Sequence, residues 1–287
     1  MYDILIIGAG PAGISASLYA KRSNLNVLVL YHGKSNLEAA SQIDNYYGFI
    51  EGISGQKLYE NGIEQAKKIG VEIKEEEVLA IEPIDNGFKI ITTLNEYKTK
   101  SVIISTGNKK LRPNISGIKE FEGRGISYCA ICDGFFYKNK NVVVIGNGNF
   151  ALSEARELSH IANKVTILTN GLEEPKQNEF EVNTKSIKSI LGDNKVQWVE
   201  FDDGEKIEVD GIFIALGEAG GSDFAKKLGI LMNGDNIKVN ENMETNIPGI
   251  FACGNITGGL LQVSKAVYEG AQAGLSAVQY VRSKENG

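Results

Sequence analysis

Apolar residues along this chain fall into short blocks closed by glycine. Tyr2-Asp-Ile-Leu-Ile-Ile-Gly8 is such a block, the pattern of a strand buried on both faces of a parallel sheet. Ile14 to Arg22 follows with helical spacing, and Asn26-Val-Leu-Val-Leu-Tyr31 predicts the next strand. Together they predict a β-α-β unit of about 30 residues. The same order returns later. Asn141-Val-Val-Val-Ile-Gly146 predicts a strand, Phe150 to His160 a helix, and Lys164-Val-Thr-Ile-Leu168 a second strand. Two glycine-cornered units of this kind make an internal repeat of domain size.

Between the repeats, Val71 to Glu82 and Phe88 to Ile104 predict β structure, the latter running into Ser105-Thr-Gly107. Gly211-Ile-Phe-Ile-Ala-Leu-Gly217 is the matching piece of the second repeat. Ile247-Pro-Gly-Ile-Phe-Ala-Cys-Gly254-Asn255 predicts one more strand ending at glycine, and Val263 to Arg282 a closing helix. The order predicts an α/β fold of two Rossmann-like three-layer domains, the second inserted into the first. Residues 1–108 with 241–287 would form the first and 109–240 the insertion, with hinges near 108–112 and 240–245.

Charge and composition narrow the function. Lys+Arg 30 against Asp+Glu 36 gives a net charge of -6 without a basic block, which argues against nucleic acid or an anionic membrane as partner. No apolar run reaches the roughly 18 residues of a bilayer-spanning helix. Met1 leads straight into the first strand without a basic region or cleavage site, so a cytoplasmic protein is expected. Three cysteines are too few for a disulfide scaffold.

The first corner, Gly8-Ala-Gly10-Pro11-Ala12-Gly13, is G-x-G-x-x-G between a buried strand and a helix. The first glycine allows a tight turn, the second admits a pyrophosphate close to the backbone, and the third lets helix and strand pack. The phosphates would sit at the helix N-terminus. Such corners often carry an acid at the end of the second strand to hold ribose hydroxyls. Here Tyr31-His32-Gly33 stands there instead, Tyr31 either stacking on adenine or simply exposed.

Cys129-Ala-Ile-Cys132 is followed by Asp133, just before the second repeat. Two cysteines at this spacing can close a small-ring disulfide with a tuned potential. A zinc site needs four ligands, and Cys253, His32 and His160 offer no ligand-like spacing, so no metal is expected. Asp133 either moves the proton that disulfide exchange requires or caps a turn. Cys253, in an apolar strand, reads as a small buried hydrophobe.

Ser127-Tyr-Cys129-Ala-Ile-Cys132-Asp133-Gly-Phe-Phe-Tyr137, set between two glycine corners, resembles the low-molecular-weight thioredoxin reductases, flavoprotein disulfide reductases, over nearly the whole chain. The resemblance implies FAD at the first corner, with further contacts at Tyr31, Asn36, Asn45, Val78, Thr106, Gly107, Gly254 and Asn255. Asn255 replaces the family's usual aspartate, though an amide oxygen still accepts from a hydroxyl. The resemblance also implies that Cys132 faces the flavin, Cys129 attacks thioredoxin and Asp133 serves as acid, in a homodimer whose inserted domain binds NADPH.

The second corner departs from that family. Gly146-Asn-Gly148-Asn-Phe-Ala151 replaces Gly-Gly-Gly-x-x-Ala, putting the bulk of Asn147 and Phe150 where a pyrophosphate would approach. At the end of the next strand the family carries arginines that pair with the 2′-phosphate. This chain has Thr169-Asn-Gly171-Leu-Glu-Glu174-Pro175. Each lost charge-assisted contact is worth about 1.5–3 kcal/mol, and Glu173 and Glu174 would repel the phosphate. The stretch before Val196 is also short for the family's helix and strand. In these respects the chain resembles the ferredoxin-dependent flavin thioredoxin reductases, which implies ferredoxin as electron donor and thioredoxin as substrate. Lys109-Lys-Leu-Arg112 and Lys138-Asn-Lys140 are basic stretches for an acidic donor, or merely solvated surface. Two alternatives stay open: the same fold with a nicotinamide donor, and a non-catalytic flavin redox sensor.

Overall fold

Two nearly equivalent glycine turns organise the chain. The computed structural model describes residues 1–107, 113–128, 130–176, 179–217 and 220–285, with the backbone alone at 39, 131, 132 and 285. The first stretch gives β1 (Tyr2–Ile7), α1 (Pro11–Arg22), β2 (Val27–Tyr31), α2 (Gly55–Lys68), β3 (Glu72–Glu75), β4 (Val78–Ile84), β5 (Gly87–Thr92) and β6 (Glu96–Ile104). Next come α3 (Ile118–Phe121), β7 (Ile126–Ser127), α4 (Ala130–Asp133), β8 (Asn141–Ile145), α5 (Asn149–Ser159) and β9 (Lys164–Leu168). These are followed by β10 (Glu181–Asn183), β11 (Ile187–Gly192), β12 (Val196–Phe201), β13 (Lys206–Glu208) and β14 (Gly211–Ile214). The last stretch forms α6 (Gly221–Leu228), β15 (Met232–Asn233), β16 (Asn236–Ile237), β17 (Ile250–Ala252) and α7 (Val263–Glu285).

The chain divides into two compact units, Met1–Lys109 with Gly220–Gly287, and Lys110–Ala219. The second boundary therefore falls at 219/220, about twenty residues before the expected 240/241. The cause is packing: α6 lies on β4, and the β15–β16 hairpin lies on α6 and on the 3-10 turn at 254–257, all in the first unit. Phe224, Ala225 and Ile237 are its buried anchors. The expected hinge at 108–112, and with it the Lys109–Arg112 stretch, lies outside the described residues.

In the first unit the strand order is β3-β2-β1-β6-β5-β4, with β17 added to β6. The strands β3, β2, β1, β6 and β17 run parallel, and β4 and β5 form an antiparallel flap on the early half of β6. Alternate residues Ile4, Ile6, Val27, Val29, Ile103 and Phe251 share one face and pack under α1 and α7. The two helices touch closely because α7 presents glycines to α1. A Cβ on Gly274 would stand 2.6 Å from the Ala16 carbonyl oxygen, and one on Gly270 would run into that of Ala12. α1 begins at Pro11, three residues before the apolar spacing suggests, since proline suits the first helical position.

The second unit is three-layered. Its central sheet, β10-β9-β8-β14-β7, is parallel throughout. Val142, Val144, Ile167 and Phe213 face α5 on one side. Val143, Ile145, Ile212 and Ile214 face Ile190, Val199 and Phe201 of the β11–β13 meander on the other. No helix among the described residues is long and apolar enough to cross a membrane.

Candidate functional site

The two corners are built alike. Gly8 N–H donates to Leu30 O at 2.7 Å, and Gly146 N–H donates to Leu168 O at 3.0 Å, so each corner turns beside its second strand. A Cβ on Gly8 would stand 2.5 Å from Ser105 O, and one on Gly146 would run into Ala215 O. Gly8 also has φ +110, a backbone state that side chains resist. On Gly13, a Cβ would overlap the Gly8 carbonyl.

Gly10 differs from its neighbours. Its φ of -70 and ψ of -178 suit any residue, and a Cβ would meet only Ser35 Oγ at 3.8 Å. The protein's own packing does not require glycine there. Pro11 and Ala12 open α1 behind it, and no side chain among the described residues caps that helix start. Open space beside uncapped first-turn N–H groups fits the pyrophosphate of FAD.

Around that corner several of the expected contact residues are engaged within the protein. Tyr31 ends β2 half-buried, packed against the core, so it is not an exposed aromatic. Burial, then Glu75 and Glu38, push its phenol above the ordinary range. Asn36 opens a 3-10 turn capped by Ser35: Ser35 N–H donates to Glu38 Oε1 at 2.6 Å, and Leu37 N–H donates to Ser35 Oγ at 3.3 Å. This box places an acid, Glu38, seven residues after the end of β2, with its carboxylate bonded to the Ser35 N–H. Ser35-Asn-Leu-Glu38 carries the S-x-x-E signature of such a box, a signal that the motif reading passed over.

Asn45 donates to Gln262 Oε1 at 3.2 Å, just before α7. Val78 is buried at the start of β4. Thr106 Oγ1 accepts Gly221 N–H at 3.0 Å, and Gly107 takes φ +69, where a Cβ would meet no described atom within 4 Å. Gly254, with φ +84, gives its N–H to Glu269 Oε2 at 2.8 Å, and its carbonyl accepts from Lys265 Nζ at 2.8 Å. Asn255 sits half-buried in the same 3-10 turn. Lys265 and Glu269 are thus structural members of the site that motif reading does not single out. Only their i,i+4 spacing on α7 hints at the pair. Cys253 is fully buried, and burial pushes its thiol well up, consistent with a small buried hydrophobe.

Cys129 and the side chain of Cys132 lie outside the described residues. Asp133 is described: its Oδ2 accepts Ser127 Oγ–H at 2.6 Å, and its side chain makes no cap bond to the following 3-10 turn. That turn exposes Phe135 and Phe136 to 74% and 70%, edge to face. No group of residues able to hold a metal ion occurs among those described.

The second corner keeps its backbone but not its surroundings. Phe150 is 3% exposed and belongs to the core under α5, so the bulk expected of it at the corner is not there. Side chains on the facing loop do change it. Thr169 is fully buried, and its hydroxyl donates to Leu172 O at 2.6 Å. Asn147 Nδ2 donates to Glu173 O at 3.4 Å, tying the corner to the loop after β9. No helix forms between β9 and β10 among the described residues.

The family model for pyridine nucleotide-disulphide oxidoreductases matches residues 2–270. The thioredoxin reductase of Listeria innocua is 35% identical, over 98% of this chain and 94% of that protein. The crystal structure of an atypical thioredoxin reductase from Desulfovibrio vulgaris Hildenborough is 38% identical with a TM-score of 0.94, covering 99% of both chains. A ferredoxin-flavin thioredoxin reductase from Clostridium acetobutylicum is 34% identical with a TM-score of 0.73, covering 98% of both.

Proposed function

Because this chain belongs to the pyridine nucleotide-disulphide oxidoreductase family, we propose that it reduces the disulfide of thioredoxin with electrons from reduced ferredoxin, passed through FAD and the Cys129–Cys132 pair. FAD is the cofactor of this flavoprotein. The first corner, with Gly10 open beside the start of α1, would hold its pyrophosphate. When bound, FAD accepts electrons singly and delivers them in pairs, which a one-electron donor and a two-electron disulfide require.

The observation that carries the donor assignment is the loop after β9. Where a nicotinamide enzyme would present arginines to a 2′-phosphate, Thr169 is buried and bonded to Leu172. Asn147 is tied to Glu173, and Glu173 and Glu174 place two negative charges nearby. A phosphate dianion would find Thr169 and Asn147 already engaged and would meet the like charge of Glu173 and Glu174.

In this reading the Cys129–Cys132 bond opens on taking up two electrons, Cys129 then attacks the disulfide of thioredoxin, and Cys132 re-forms the internal bond as the dithiol product leaves. Asp133, oriented by Ser127, moves the proton that the leaving sulfur needs. The exposed Phe135 and Phe136, three and four residues after Cys132 in the chain, offer an apolar platform to a partner protein. Homodimer formation belongs to the same proposal.

Anaerobic titration tests it. Reduced ferredoxin should bleach the flavin band and support thioredoxin turnover, while stoichiometric NADH or NADPH should leave the band unchanged. Bleaching by either nucleotide would favour the second reading, a nicotinamide donor, for which the preserved Gly146 and Gly148 backbone speaks.

A further inference from the structure

Three aromatic residues follow one another at Phe135-Phe136-Tyr137, and the fold treats them unequally. They lie in the 3-10 turn Gly134–Tyr137, where positions three apart eclipse and so face the same way. Gly134 is buried at one end, where a Cβ would touch Leu158 Cδ2 at 3.4 Å and Ile161 Cδ1 at 3.5 Å. Tyr137, at the other end, packs against the core under α5, its ring edge to face with Phe213 at 5.3 Å between centroids. The two residues between them, Phe135 and Phe136, are left facing solvent.

Tyr137 reaches that seat because Gly211 leaves it empty. Gly211 opens β14 two residues before Phe213, so a side chain there would point to the same face of the sheet. Its backbone is not left-handed, so conformation alone does not demand glycine. The ring does: a Cβ on Gly211 would stand 2.2 Å from Tyr137 Cε1 and 2.7 Å from Cδ1. β14 is paired on both sides, to β8 and β7, so the strand has little room to give. A glycine within a strand often marks a close approach, and here it is the socket for an aromatic ring.

We propose that Tyr137 and Gly211 are positioning residues that fix Phe135 and Phe136 in the orientation on which thioredoxin docks. The ring in its socket pins one end of the turn, and the two phenylalanines are thereby displayed as one preformed apolar surface. The inference rests on the platform role given to Phe135 and Phe136 above. Ordering side chains on contact subtracts from binding, so a turn already fixed in the free protein binds its partner more tightly. Loosening the turn weakens docking and leaves the chemistry of disulfide exchange alone.

Substitution on either side of the contact tests this. Gly211→Ala drives a methyl into the ring, and Tyr137→Leu takes the ring out of the socket. The FAD-loaded protein is reduced with stoichiometric dithionite, which makes the reading independent of the natural donor, and mixed with increasing oxidised bacterial thioredoxin. G211A and Y137L should each raise the half-saturating thioredoxin concentration about tenfold, with the limiting rate within about twofold of wild type. Because both act on one contact, the G211A/Y137L double variant should be no worse than Y137L alone; effects that multiply overturn the inference. So does a half-saturation that Y137L leaves unmoved while F135A/F136A shifts it. If F135A/F136A leaves it unmoved as well, the platform role falls too. Should G211A fail to fold, Y137L decides, and failure of both to fold would assign Tyr137 to the core alone and overturn the inference.

Discussion

Lys265 and Glu269 face each other one turn apart on α7, Nζ to Oε2 at 3.0 Å, and both reach the same backbone corner at Gly254. Thr257 Oγ1 joins them, donating to Glu269 at 2.8 Å and accepting from Lys265 at 2.9 Å. Both charges are largely buried, so removing one leaves the other uncompensated. Glu269→Ala should therefore cost about 3 kcal/mol or more of stability, against a much smaller loss when both are replaced by apolar residues. Urea denaturation of E269A and of the K265M/E269L double variant measures this; equal losses would mean that the pair does not hold the corner.

The glycines of the first corner should separate in their effects. Gly10→Ala meets no protein atom closer than 3.8 Å, so it should fold normally. Its methyl would nonetheless occupy the phosphate approach, and FAD affinity should fall at least tenfold, about 1.4 kcal/mol. Gly13→Ala overlaps the Gly8 backbone and should lower the melting temperature even without cofactor. Flavin content on purification, set beside thermal melts of the cofactor-free forms, distinguishes the two.

Phe135 and Phe136 stand out to solvent immediately after the cysteine segment. Replacing both with Ala removes no core packing. We expect KM for thioredoxin to rise about tenfold, in the range of an aromatic hot spot, with flavin reduction by the donor unchanged. Steady-state assays with varied thioredoxin read the split, and an unchanged KM would place docking elsewhere.

Glu76 gives the first unit an acid-sensitive joint. Burial alone would raise its carboxyl, but hydrogen bonds from Tyr97 at 2.6 Å, Thr92 at 2.7 Å and Asn95 at 3.0 Å, with Lys74 nearby, hold it below the ordinary 4.5. A lowered carboxylate contributes stability above its unfolded pKa and loses it as pH falls through the folded value. Glu76→Gln should cost about 2 kcal/mol at pH 7, and the gap from wild type should narrow below about pH 4.5. Denaturation at the two pH values checks the sign; a gap that widens in acid would contradict it.

The glycine corners, the strands around them and the nesting of one unit in the other were legible because each rests on local pattern. Tyr2–Ile7 and Asn141–Ile145 are apolar throughout, and their corners need glycine for steric reasons that sequence displays. The boundary at 219/220 was not legible: α6 joins the first unit by packing on β4, a strand far away in the chain. Phe150 misled for a related reason. Its position in the motif says nothing of direction, and α5 turns it into the core. Glu154 and Glu269 look like ordinary helix-surface acids in sequence, and only folding shows that each serves a backbone N–H.

The first unit is closed by its last element. Ser15 Oγ donates to Val267 O at 2.7 Å across 252 positions, and β17 pairs with β6 only after the whole insertion has been made. At ribosomal speeds of about 5–20 residues per second, α1 waits roughly ten to fifty seconds for the helix that packs against it. The inserted unit, continuous in sequence, can condense meanwhile. During synthesis the first corner is consequently backed late, and a nascent chain halted before α7 carries the complete glycine motif without a backing to hold it.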